Sequence, residues 1–160
     1  MLMKKKILVN YFSDSKKWPP RMAKIRILTN KTLKKMYQHF NKNYSYHINL
    51  ILSDKYLLRQ LNKNYKKVSS DTDVLTFVNT NINKDLGKIL YCDIFFSIDT
   101  IENFIKKNKI NLYDHFNHLL IHSFLHINGY QHKKINDFKK MKNIEIKVLK
   151  NLNIKNPYVN

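Results

Sequence analysis

Apolar positions along the chain switch between two periods. KKILVNYF at residues 5–12 and YHINLIL at residues 46–52 read as strands, the second alternating at first and continuously apolar at its end. TDVLTFV at residues 72–78 and the stretch at 87–96 are also rich in β-formers, and the polar residues 79–85 between them read as a turn. Elsewhere the spacing is helical. After the extended turn forced by Trp18-Pro19-Pro20, residues 21–40 place Ile25, Leu28, Leu33, Met36, Tyr37 and Phe40 on one face. Ser53-Asp54 can cap a helix reaching about residue 65, and Ser97 with Asp99 opens another to about residue 107. Asn111 and Asp114 stand as the cap and third position of a helix running to residue 128. The last helix spans about residues 134–152, with Ile135, Phe138, Met141, Ile144, Val148 and Leu149 facing inward. Four strands interleaved with five helices predict an α+β fold, a mixed sheet of about four strands covered by about five helices. No repeat, linker or composition break divides the chain, so residues 1–160 are expected to form a single domain.

Composition narrows the function classes. Thirty Lys and Arg against eleven Asp and Glu give a formal charge of +19 over 160 residues. Such a field favours a polyanion, nucleic acid or an acidic membrane face, over small cationic or purely apolar ligands. The abundance of Lys, Asn, Ile and Tyr, with two Gly and one Ala, is also the signature of AT-rich codons, which would make part of the +19 drift. A hydrophobic content of 43% with 12% aromatics argues for a folded domain and against disorder. The longest uncharged stretch, residues 115–132, holds five histidines and is too polar to span a bilayer, so no membrane role is expected. The opening MLMKKKILVNYF mimics a leader, but Asn10 breaks its apolar part after three residues. Cys92 is the only cysteine, which excludes a disulfide framework and a CxxC knuckle and fits a cytoplasmic, reducing setting. On its strand Cys92 is expected to be a small buried hydrophobe.

The chemistry concentrates in HFNHLLIHSFLHINGYQH, residues 115–132. His122 and His126 are four apart and stack on one helix face, which lets two imidazoles grip one cation. Gly129 can take the left-handed conformation that ends a helix and turns the chain back, returning His132 as a third ligand. Three histidines leave a fourth vertex open for water, the arrangement of a catalytic rather than a closed structural zinc. His118 lies on the same helical stripe, with His115 beside it, and both are expected to support the site or face solvent. The spacing also matches metzincin proteases, but those need Glu directly after the first histidine, where this chain has Ser123.

The same segment, HSFLHINGYQH from His122 to His132, resembles the signature of the YbeY family of single-strand-specific endoribonucleases. LNKNYKKVSSDTDVLTF (residues 61–77), LGKILYC (86–92) and the closing NPYVN are similar to further family blocks, in order over residues 61–158. The resemblance implies a cytoplasmic, metal-dependent RNA-cleaving protein acting in ribosomal RNA processing, notably at the 3′ end of small-subunit rRNA, and in ribosome quality control. It implies one zinc ion on His122, His126 and His132, with the small ribosomal subunit and its RNA as partners. The family's functional arginine falls on Lys66, which keeps the charge but not the planar two-pronged grip on phosphate. Ser123 stands where the family has glycine, and Gln131 and Lys88 where it has aspartate.

The expected chemistry is hydrolysis of a phosphodiester, with the zinc activating water and Lys66 facing the charge that develops on phosphate. Asp73 is expected to orient a ligand histidine or to cap a turn. Tyr130 and Phe77 could stack bases, although packing suits both, and Lys139, Lys140, Lys142, Lys147 and Lys150 form a solvated face able to follow phosphates. Two rivals remain open at this point. One is a non-catalytic, ribosome-associated RNA-binding module with a structural zinc; the other is a zinc peptidase.

Overall fold

The computed structural model describes residues 7–40, 44–85 and 87–159. Four strands form one sheet: β1 (Ile7–Ser13), β2 (Tyr44–Ser53), β3 (Val74–Asn83) and β4 (Gly87–Ser97), in the order β1-β2-β4-β3. The three pairs of neighbours differ in sense: β1 and β4 both run parallel to β2, whereas β3 is antiparallel to β4. Five helices cover it: α1 (Met22–Phe40), α2 (Lys55–Lys66), α3 (Ile98–Asn108), α4 (Leu112–Ile127) and α5 (Ile135–Asn151), with one 3-10 turn at Pro19–Arg21. This is the expected α+β class with a mixed sheet. Among the described residues no helix is long and apolar enough to cross a membrane.

Alternation along the strands divides the sheet into two faces. On β2, Tyr46, Ile48, Leu50 and Leu52 are buried, and on β4 so are Leu90, Cys92, Ile94 and Phe96. These meet α4, whose Phe116 packs 4.7 Å from the Phe96 ring and whose Phe124 packs 4.8 Å from Tyr46. The opposite face is partly covered by α2: Tyr65 lies 5.1 Å from Phe77, which lies 5.8 Å from Phe95. Cys92 sits in the main core, where burial first, and then the Asp93 charge, push its thiol up to about 12. It is the buried hydrophobe expected.

Caps fall where the sequence placed them. Asp54 accepts the backbone N–H groups of Tyr56 and Leu57, Ser97 that of Thr100, and Asn111 those of Tyr113 and Asp114. Other expectations need correction. Residues 79–83 are not a turn but the continuation of β3, in register from Asn79↔Tyr91 to Asn83↔Gly87. Ladder bonds come from the backbone, so polar side chains on an exposed ribbon do not prevent pairing. Ile135 and Phe138 do not face inward: they are 71% and 43% exposed, because the first turn of α5 precedes the part that packs, which begins at Met141. The predicted strand residues Lys5 and Lys6, Leu86 of the LGKILYC block and the terminal Asn160 lie outside the described residues.

Candidate metal centre

Helix α4 is apolar enough to be swallowed by the fold: Phe116, Leu120, Ile121, Phe124 and Leu125 are fully buried. Its remaining stripe, His115, His118, His122 and His126, follows the i, i+3, i+7, i+11 spacing of one face and looks into a cleft of about 1210 Å³. Beyond His126 the helix closes with a Schellman pair, in which the Tyr130 N–H donates to the Leu125 carbonyl (3.1 Å) and the Gly129 N–H to that of His126 (3.0 Å). Gly129 sits at φ +92°, as the sequence requires, and the returning chain brings in His132. A Cβ added at Gly129 would meet nothing within 4 Å, so only its backbone conformation is at stake. Gly129→Ala should therefore cost about 1–2 kcal/mol without a clash, read as a lowered midpoint in chemical denaturation.

The three histidines converge. One ligand nitrogen from each of His122, His126 and His132 lies within 4.8 Å of the others. Ring centroids stand 4.6, 4.8 and 5.3 Å apart for the pairs 122–126, 126–132 and 122–132. Outer contacts fix the tautomers. His126 Nδ1–H donates to the Tyr130 carbonyl (2.9 Å), and His122 Nδ1–H donates to Glu145 Oε1 (2.7 Å). The remaining Nε2 atoms of these two rings meet at 3.0 Å. Two lone pairs at that distance need an electropositive centre, either a shared proton or a cation. Imidazole nitrogens on one tetrahedral ion of zinc's size stand about 3.4 Å apart. The donor set therefore fits a metal ion that His132 can complete. Burial, then the neighbouring His122, push His126 down to about 4, and the same two influences hold His132 below its ordinary value. Neutral imidazole is the ligand form.

Behind the cluster stands a residue that sequence reading passed over. Glu145, from α5, is 1% exposed and accepts from His122 and, at 2.8 Å, from His118 Nε2–H, as well as from the Tyr158 hydroxyl. Burial alone would raise its carboxyl, but the hydrogen bonds from His118 and His122 outweigh that and hold it down at about 2. A signal was present: Met141, Glu145, Val148 and Leu149 occupy one helical face, and an acid at a core position needs partners.

The other expected residues are placed as follows. His118 supports the site indirectly, sharing Glu145 with His122. Asp73 does not touch a histidine of the cluster; its Oδ2 accepts from His115 Nε2–H at 3.0 Å, because residue 73 enters β3 beside the first turn of α4. Lys66, exposed at the end of α2, lines the same cleft, and its charge is one of the smaller influences lowering His126 and His132. Tyr130 packs against Phe40 (5.8 Å), and Phe77 lies between Tyr65 and Phe95, so packing is what both do here. Ser123 is fully buried with its hydroxyl lacking a protein partner among the described residues. Lys88 lies 4.6 Å over the Tyr44 ring and contributes nothing to the cluster.

The family model Endoribonuclease YbeY matches residues 11–153. Endoribonuclease YbeY of Ehrlichia ruminantium (strain Gardel) is 37% identical over 149 residues, 91% of each chain. The protein of the same name from Ehrlichia chaffeensis is 35% identical over 115 residues, 70% of this chain and 71% of its own. The solution structure of TM1509 from Thermotoga maritima overlays with a TM-score of 0.54 at 19% identity, covering 96% of this chain and 100% of that one, a likeness of fold. A histidine cluster at the end of a buried helix, on a mixed four-stranded sheet, thus comes with sequence similarity running almost the whole length, and the chain belongs to the Endoribonuclease YbeY family.

Proposed function

We propose that this protein is a zinc-dependent endoribonuclease that cuts single-stranded ribosomal RNA. Its place is maturation of the 3′ end of small-subunit rRNA and ribosome quality control in the cytoplasm, with the small ribosomal subunit as partner. The observation that carries the reading is the meeting of three imidazole nitrogens in one open cleft that also holds Lys66. Zinc bound there would supply water activation near neutral pH and polarisation of a phosphoryl oxygen. The chain's own residues do the rest. Glu145 and the Tyr130 carbonyl hold the protons of His122 and His126 on Nδ1, which keeps both Nε2 atoms available. Lys66 supplies positive charge on the side from which phosphate approaches, as a point charge where a guanidinium would give a fork. The net +19 draws the polyanion in, at a rate that falls with salt.

Chelation separates this reading from that of a non-catalytic module. A labelled single-stranded oligonucleotide copied from the 3′ end of small-subunit rRNA should be cleaved by zinc-loaded protein. A chelator should stop the cleavage while leaving a cooperative melt, since the sheet–helix core is built from apolar side chains and includes none of the three ligand histidines. RNA binding without cleavage, together with loss of the melt on chelation, would replace the proposal with a structural zinc in a binding module.

A further inference from the structure

The cleft extends well past the histidine cluster. From His122, His126 and Lys66 it follows α4 back to the helix start, where Phe104, Lys109 and Asn111 line its far end. Phe104, on the last turns of α3, is 42% exposed and lines the cleft. One face of its ring is stacked on His115, with centroids 4.3 Å apart and planes 16° from parallel. His115 is itself 5% exposed and cannot rotate freely, because its Nε2–H is held by Asp73. Asp73 is anchored in turn by the Ser97 N–H, which donates to its carbonyl at 2.9 Å. The result is an aromatic plate braced from behind and open to the cleft in front.

We infer that Phe104 is a base-stacking subsite for the single-stranded RNA whose cleavage was proposed above, and the inference rests on that reading. Stacking on an aromatic face accepts any base and requires a base that is not already paired. Lys109, at the left-handed residue ending α3, lines the same end of the cleft and offers a cation to the adjoining phosphate. The separation suits a strand lying along the helix. His115 precedes His122 by seven residues, roughly 10.5 Å of helix axis. At roughly 3.4 Å per stacked nucleotide that is about three nucleotides, and fewer if the strand is extended. The base at Phe104 is therefore two or three nucleotides from the bond at the metal. Asp73 and His115 are positioning residues in this account; they hold the plate and do not touch the cut.

The test uses 2-aminopurine placed singly at one to four nucleotides on either side of the cut in short single-stranded RNAs, added to zinc-loaded protein. Quenching of the base should peak at one register, two or three nucleotides from the cut. It should disappear in Phe104→Ala and Phe104→Leu and return in Phe104→Trp. In parallel, Phe104→Ala should raise KM about five- to a hundredfold for oligonucleotides long enough to reach the plate. The ratio of mutant to wild-type KM should grow with length, and kcat should move less than KM. Phe104→Leu keeps an apolar cover over His115, so a protein that merely needs that cover would behave as wild type in Leu and lose only melting temperature in Ala. That outcome, or quenching indifferent to all three variants, overturns the inference. Quenching reports binding whether or not the RNA is cut, so a wild type that quenches at one register but cleaves nothing would sink the proposed activity and leave the subsite standing.

Discussion

Replacing His126 by alanine should remove zinc and RNA cleavage together. Losing an outer partner of a ligand histidine already costs roughly 10–100-fold in metal affinity, so losing the ligand itself should exceed about a hundredfold. The stability signature is more discriminating than the loss of activity. Without metal, His126→Ala should melt close to wild type, because the substitution removes a half-buried, uncharged ring whose Nε2 faces that of His122 at 3.0 Å. With zinc at about a thousand times its Kd, the wild type gains about 4 kcal/mol by mass action, whereas a variant bound more than a hundredfold more weakly gains less than about 1.4 kcal/mol. Metal analysis, thermal melts with and without zinc, and cleavage of a single-stranded oligonucleotide read the three effects separately. His126→Gln serves as a second variant should the alanine disturb the helix end. A metal-free variant that cuts RNA as well as wild type would defeat the proposed chemistry.

What could be read ahead of the structure divides by the range of the interactions involved. The histidine triple was legible because its geometry is local: four residues on a helix fix one pair, and the Gly129 turn fixes the third within six residues. Caps were legible for the same reason, since Asp54, Ser97 and Asn111 each act within three residues. The extension of β3 through Asn83 was not, because its ladder is chosen by β4 and owes nothing to its own polar side chains. Asp73 illustrates a subtler limit. Its type and position were right for orienting a histidine, but which histidine depends on where α4 starts relative to β3, and the answer was His115. The same long-range packing that misplaced Asp73 built the plate under Phe104, a residue no local pattern would single out.

Glu145 is the residue whose loss should be felt most widely after the ligands. One buried carboxylate accepts from His118, His122 and Tyr158, tying α4, α5 and the last residues of the chain to one point. Glu145→Gln keeps its volume but offers one acceptor and one donor to two histidine N–H groups. One ring must then move its proton; if that ring is His122, the proton goes to Nε2 and occupies the lone pair a metal would need. Zinc affinity should fall about 10–100-fold, seen by competition with a chromogenic chelator. Glu145→Leu leaves both N–H groups without their acceptor and should cost stability as well, about 1–3 kcal/mol by denaturant titration. The pH profile distinguishes charge from shape. The folded carboxyl lies at about 2, below its ordinary 4.5, so its contribution is complete above 4.5 and is lost as the pH falls from there toward 2. Wild-type stability should accordingly drop more steeply than that of Glu145→Gln over that interval. Parallel profiles for the two proteins would mean that the carboxylate's charge is not what holds His118 and His122, and that any loss of zinc in the variant has a steric cause.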